Sequence, residues 1–402
     1  MNSGGPRPRV RRGHSFFALI SVALAIALVA AGCARSSTAP HKPRRHAPPP
    51  VVAIGQPAPP SMVSANAVSC GDDQHCWAVG FGGGTTAAIV ATADGGSTWS
   101  AQVVPSSVSV LAAVSCSDKL DCLAVGSAGA TGAVAATTDG GATWTSETDP
   151  AGAAAVTAVD CMSKRRCVAL ATDGTTYWSS VTTDEGAIWA RGGDLPPGMT
   201  ALDGLACPST LLCLVAGYSP IGPGRGGGAI ATTGNGGGTW AAAALPPGVG
   251  ILRGLTCAGT TCLAAGTSST ANTGFVPGPG QLLTSLDGGA TWQLTSGSVT
   301  HDDAFSASCP NAKTCVVVGT DWKGTTQPIP TGSIVTTVDG GVQWRSATLR
   351  YVPVGMASVA CPAVNHCVAV GGNLLVHISL PVKVPIPKAK VAPGTRAGSR
   401  VR

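Results

Sequence analysis

One eight-residue stretch, TTDGGATW at 137–144, constrains this chain more than any other because the sequence keeps returning to it. Versions recur as TADGGSTW (92–99), TTDEGAIW (182–189), TGNGGGTW (233–240), SLDGGATW (285–292) and TVDGGVQW (337–344). The acidic or amide residue is Asp94, Asp139, Asp184, Asn235, Asp287 and Asp339 in turn, and the closing indole is Trp99, Trp144, Trp189, Trp240, Trp292 and Trp344. A second recurrence runs beside it. Setting Cys33 aside, the cysteines form seven close pairs: Cys70/Cys76, Cys116/Cys122, Cys161/Cys167, Cys207/Cys213, Cys257/Cys262, Cys309/Cys315 and Cys361/Cys367. First cysteines follow one another at intervals of 45 to 52 residues. A unit of that size cannot bury its apolar face alone and must stack on its neighbours.

Periods in this range belong to propeller blades or to helical arrays. The 55 glycines, the 30 prolines and apolar runs too short for helices exclude the arrays. In the second repeat, residues 108–116 alternate as a strand and 117–121 turn. CLAVG (122–126) is a short strand apolar on both sides, 133–138 is a third strand, 139–141 turn, and Thr143-Trp144 opens a fourth. Four antiparallel strands in each of seven units make an all-β, seven-bladed β-propeller. Regular cysteine pairs behind an export signal are disulfides, because that compartment is oxidising. The zinc alternative asks for two to four intervening residues and two pairs per metal. Each bridge closes a loop of about seven residues and contributes on the order of 2 kcal/mol.

The recurrent turn has its own chemistry. Asp accepts hydrogen bonds from backbone N–H groups of its turn, and Gly supplies positive φ. Thr or Ser at each end closes the loop, while Trp packs beside neighbouring strands. Asn235 keeps an accepting oxygen; Ile188 and Gln343 replace the Thr before Trp and weaken the third and sixth copies. The pattern S/T-x-D-x-G-x-T-W, with preceding strands such as CWAVG at 76–80, resembles the Asp-box or bacterial neuraminidase repeat of sialidases, sortilin-type receptors and photosystem II assembly factors. The likeness covers nearly all of 51–380. It implies a propeller whose boxes are structural turns between third and fourth strands, away from any active site. Fold does not imply function.

The seventh unit has its cysteines and LLVHISL (374–380) but no box and no fourth strand. Each box Trp precedes the next first cysteine by 17 or 18 residues, and counting 17 back from Cys70 reaches Ala53 in VVAIG (51–55). The N-terminal strand 51–56 is therefore expected as the outer strand of the last blade.

Outside 51–380 the chain changes character. Arg7, Arg9, Arg11 and Arg12 precede an apolar run at 16–31 and then Gly32-Cys33, a secretory signal. Ala30-Ala31-Gly32-Cys33 resembles the lipobox of bacterial lipoproteins, which implies lipidation of Cys33 and places residues 1–33 as a lipoprotein signal peptide. The alternatives are an uncleaved anchor or an ordinary secretory signal. Residues 34–50 are a Pro-rich basic tether and 381–402 a basic tail, both expected to be disordered. The body from 51 to 380 holds 11 Lys/Arg against all 19 Asp/Glu, a formal −8, and the flanks hold the other 14 bases. An acidic body argues against nucleic-acid binding, whereas the basic flanks suit an anionic membrane surface.

Function is sought where the repeat is irregular. Disulfide turns and boxes share one face, and the loops between second and third strands lie on the other. From second cysteine to box Asp/Asn the span is 18, 17 and 17 residues in blades 1 to 3, and 22, 25 and 24 in blades 4 to 6. Those longer loops hold Tyr218, Arg225, Phe275, Trp322 and Lys323, residue types that interfaces use as anchors. The bland reading is that they are tolerated surface inserts. Sialidase chemistry needs an arginine triad, a Tyr backed by Glu, and an Asp acid. The body offers only Tyr177, Tyr218 and Tyr351 with Glu147 and Glu185, and no Arg-Ile-Pro precedes the first box. Asp72, Asp73 and His75 read as solvated turn residues, and His301-Asp302-Asp303 lacks metal-ligand spacing. No phosphate-binding glycine loop is present, and no cofactor or metal is expected. The expectation is a monomeric, lipid-anchored, extracytoplasmic protein-binding scaffold or assembly factor without catalysis. The alternative is a sialidase-like glycoside hydrolase or carbohydrate-binding protein.

Overall fold

Alternation of small apolar and polar residues, broken every few residues by Gly turns, leaves no length for a helix, and strands alone form among the described residues. The computed structural model describes residues 51–84, 86–220, 226–268, 279–295, 303–323, 329–350 and 352–380. The signal segment, Cys33, the tether and the tail lie outside them. All described residues belong to one unit, Pro48–Arg402.

Seven blades of four antiparallel strands form a ring. Blade 2 runs Val110–Cys116, Cys122–Ala128, Thr131–Thr137 and Thr145–Glu147, in that spatial order. Its fourth strand starts one residue after Trp144, not at Thr143. The indole is turned into the interface with the preceding blade instead, among Trp77, Val79, Leu111 and Ala124. Trp189 and Trp292 repeat that placement against blades 2 and 4. The core is thus divided into sheet-on-sheet layers between consecutive blades, filled by residues such as Leu170, Leu214 and Trp178 that are essentially inaccessible.

The last blade comprises Ser358–Ala363, His366–Gly371, Leu374–Ser379 and the chain's first strand, Val52–Pro57. That first strand pairs antiparallel with the third, Val52 opposite Ser379 and Pro57 opposite Leu374, so the ring is closed by both chain ends. The closing strand is not outermost: Thr348–Arg350 pairs with it in parallel as a short fifth strand. This works because the link from blade 6 to blade 7 runs along that edge before turning inward.

All seven expected cysteine pairs are bonded, each across the first hairpin of its blade: Cys70–Cys76, Cys116–Cys122, Cys161–Cys167, Cys207–Cys213, Cys257–Cys262, Cys309–Cys315 and Cys361–Cys367. The two ends of a bridge differ in setting. Cys70, Cys257 and Cys361 are half-buried, whereas Cys76, Cys262 and Cys367 are fully enclosed, at 0% exposure. Cys76 packs with Val68, Val90 and Val368, Cys262 with Leu214 and Leu283, and Cys367 with Val316 and Val318. The reason is position: each is the first or second residue of the second strand, which has a strand on either side and a blade against its face, so its side chain is already inside the core. A bonded sulfur brings no donor that needs a partner there. These cysteines are therefore core residues as well as staples, closed to any ligand.

The Asp–Gly turns lie on the same face as the disulfide hairpins and are tied to them. Gly95 N donates to Gln74 O, Gly140 N to Leu120 O and Gly288 N to Thr260 O. Within the turn at 92–99, Thr92 Oγ1 and Thr98 N both donate to Asp94 Oδ1 at 2.8 Å, and Thr98 Oγ1 donates to Oδ2 at 2.6 Å. Those donors, led by the Thr98 hydroxyl, hold the Asp94 carboxyl down to about 2. The Ile188 and Gln343 copies keep the backbone donation but lack the second hydroxyl. These are fasteners, formed on exposed carboxylates by local geometry.

Candidate functional site

The first strand of every blade lines the central axis, and in four blades the residue before the first cysteine joins its blade to the next. Ser69 Oγ accepts from Cys116 N at 3.0 Å, Ser115 Oγ from Cys161 N at 2.9 Å, Asp160 Oδ2 from Cys207 N at 2.7 Å and Ser308 Oγ from Cys361 N at 3.0 Å. Ala206 and Ala360 stand at this position in blades 4 and 7 and have no hydroxyl to offer. A hydroxyl does this at little electrostatic cost. Asp160 does it with a carboxyl that burial pushes up to about 6, against the opposing N–H groups of Cys207 and Cys161.

The inner strands enclose a central cavity of about 610 Å³. Four residues before each first cysteine, nearer the face opposite the fasteners, the wall changes around the ring. Blades 7, 1 and 3 present Ala357, Asn66 and Thr157, whereas blades 4, 5 and 6 present Asp203, Arg253 and Phe305. Arg253 Nη1 donates to Asp203 Oδ2 at 3.4 Å, and its guanidinium lies 5.1 Å from the Phe305 ring centroid. Arg253 Nε is buried and finds no acceptor among the described residues. Burial raises the Asp203 carboxyl, and the charge of Arg253 only partly offsets it. Cation, anion and aromatic ring thus share one wall and face small residues across the opening. That wall can take a ligand offering hydrogen-bonding and apolar groups together.

The longer blades are the same three. The extra length, however, continues the second and third strands and is not all loop. Tyr218 lies in the strand Cys213–Pro220 opposite Gly228, and Trp322 and Lys323 lie in Cys315–Lys323 opposite Pro330 and Ile329. They are ladder residues because Gly226–Thr233 and Ile329–Thr337 extend to match them. Trp322 Nε1 donates to Asp303 Oδ2 at 3.3 Å, which ties the indole to its own blade. Arg225, Phe275, His301 and Asp302 lie outside the described residues. Asp72 and His75 pair with each other at 2.8 Å on the fastening face. Among the described residues no group of three metal-ligating side chains converges. The channel residues Asp203, Arg253 and Phe305 escaped the loop-length reasoning. Their signal is a charged or bulky residue inside a strand that is small or apolar at the same repeat position elsewhere.

Comparison with protein families and with curated proteins gives no match. Solved structures do resemble the chain. "YCF48 bound to D1 peptide" aligns at 16% identity over 83% of this chain and 97% of that one, with a TM-score of 0.58. The GH74 xyloglucanase from Xanthomonas campestris aligns at 15% over 79% and 52%, TM-score 0.56. Virginiamycin B lyase from Staphylococcus aureus aligns at 8% over 82% and 99%, TM-score 0.59. At these identities the likeness establishes the β-propeller fold alone, and that fold hosts a peptide-bound protein as well as a hydrolase and a lyase.

Proposed function

We propose that the chain is a lipid-anchored, extracytoplasmic propeller that binds a protein segment at the channel mouth and performs no catalysis of its own. The observation that carries this is the one-sided wall of Asp203, Arg253 and Phe305 on the face free of fasteners. Interface anchors are commonly Arg and aromatic residues placed at such concave centres. Chain direction leaves that face clear. Val52 pairs with Ser379, and Leu380 N donates to Asn365 O in the last disulfide turn. The described propeller therefore begins and ends on the fastening face, and neither flank enters it at the channel mouth. A neighbour of this fold is bound to D1 peptide, and the proposal extends that mode of use to this chain. The test is co-purification from cross-linked membranes with wild type, Arg253→Ala and Phe305→Ala. A partner retained by wild type and lost by both variants is expected. A wild type that retains none, or variants that retain it equally, refutes the reading.

One observation favours a hydrolase as the second reading. Asp160 and Asp203 line one cavity, and burial raises both carboxyls, which suits either as the proton donor of a hydrolase while leaving the ionised partner of the pair unsupplied. Against it, Asp160 Oδ2 is already engaged by Cys207 N. Among the described residues the cavity wall also holds no Tyr and no Glu. Aryl-glycoside turnover by the wild type that disappears in Asp203→Asn would establish the hydrolase.

A further inference from the structure

The ring has one seam between non-consecutive blades, the seventh and the first, and no disulfide crosses it, since every bridge lies within a blade. In the seventh blade, His377 stands directly across from Val368. Its side of the sheet is the one whose Val368, Val370 and Leu375 pack on Met62, Ala65 and Val90 of blade 1. The His366 ring lies with its centroid 4.9 Å from that of His377. Its Nε2 is 2.8 Å from the Gly95 carbonyl oxygen, so Nε2–H donates into the first Asp–Gly turn. Gln56 of the closing strand donates from Nε2 to Gly96 O, the next residue of that turn, at 2.6 Å. Two half-buried imidazoles and the closing strand thus meet on one turn of blade 1. His75 carries the one other imidazole among the described residues, and no such pair occurs at another blade interface described.

We propose that the His366–His377 pair is an acid-sensitive latch on ring closure: protonation of the pair loosens the blade 7–blade 1 seam and frees the strand Val52–Pro57. The charged groups that face the pair come from blade 1. Asp72 is engaged with His75, the exposed carboxylate of Asp94 is hydrogen-bonded by Thr92 and Thr98, and Asp73 presents its backbone oxygen beside Gly95. The closing strand carries no charge and the other three strands of blade 7 carry none besides the two histidines, while Arg350 of the added fifth strand stands opposite Ile54, which in turn pairs with His377. Among the described residues no carboxylate forms an ion pair with either ring. A proton placed here therefore meets a desolvated site and then a second imidazole. Burial first and the charge of His366 second hold His377 below the ordinary histidine range. The sign follows: with the folded value depressed, the stability is whole above the unfolded value of about 6.5 and is lost as pH falls below it. The strand released is the one through which the chain enters the propeller from its N-terminal flank.

The test is amide hydrogen exchange on the full chain in detergent at pH 7.5 and pH 5.0, with rates corrected for intrinsic pH dependence. Peptides covering 52–56 and 95–99 are compared with 140–144, a turn with no histidine beside it. Wild type is expected to exchange several-fold faster at 52–56 and 95–99 in acid, because local opening of the seam becomes easier, with 140–144 unchanged. His377→Leu should abolish the acid response. His366→Gln, which keeps a donor for Gly95 O, serves the same purpose if His377→Leu does not fold. A wild type with no acid response at 52–56, a response shared equally by 140–144, or one that persists in the variant overturns the latch.

Discussion

The hydroxyl ladder around the axis makes one prediction whose sign reverses between two blades. Ser115→Ala removes the acceptor of Cys161 N. An N–H left unsatisfied in a dry interior costs about 1–3 kcal/mol. Ser115 itself lines the central cavity of about 610 Å³, which is roomy and polar enough for water to enter where its hydroxyl is removed, since a water needs only tens of Å³. A water can take up part of the loss, so the expected destabilisation sits at the low end, about 1 kcal/mol. Blade 4 already lacks the group, because Ala206 occupies the equivalent position. Ala206→Ser supplies an acceptor toward Cys257 N in blade 5, and the channel gives the hydroxyl room. A gain of about 0.5–1 kcal/mol is expected. Both changes are read by urea unfolding at fixed pH, with exchange at the Cys161 and Cys257 amides as the local check. The double variant should lie near wild type, since the two sites are separated by a blade. If Ser115→Ala is neutral, or if Ala206→Ser destabilises to the same extent, the ladder is not what couples neighbouring blades.

Two further outcomes follow from single residues. Asp160 is the ladder's carboxylate, raised from 3.8 to about 6, so its ionisation opposes folding and the stability it permits is lost as pH rises through that value. Asp160→Asn, whose amide oxygen still accepts from Cys207 N, should be more stable than wild type by up to about 3 kcal/mol at pH 7. That advantage should vanish below about pH 4 in a pH series of denaturant midpoints; a pH-independent difference would argue against it. Glu185 replaces the first glycine of the third Asp–Gly turn and is the one described non-glycine residue at positive φ, +69°. Glu185→Gly should raise stability by about 1 kcal/mol despite the added chain entropy, and an unchanged melting temperature would show that the turn relaxes around the side chain.

Blade number, hairpin disulfides and ring closure were legible in the sequence for one physical reason: each is written as a local spacing. A cysteine pair fixes its own hairpin, an Asp–Gly turn fixes the next, and a missing fourth strand can be found by counting back from Cys70. Spacing says nothing of depth, however, and the burial of Cys76, Cys262 and Cys367 depends on the neighbouring blade that covers them. The ladder was not legible either, although five of seven repeats carry Ser, Thr or Asp before the first cysteine. A serine there reads as a turn residue, and its partner sits 46 or 47 positions away, brought adjacent only by the packing of one blade on the next. The candidate site was half legible. Loop length pointed to blades 4 to 6, and the distinctive channel residues do come from those blades. Loop length drew attention, however, to Tyr218 and Trp322, which the extended strands absorb as ladder residues. Asp203, Arg253 and Phe305 lie inside first strands, where LDGLAC, LRGLTC and DAFSASC look like blade wall interrupted by one misplaced side chain. In a propeller that interruption is the informative signal. The first strand lines the axis, so a charge there faces the channel of every folded copy, whereas a charge on an outer loop faces only solvent.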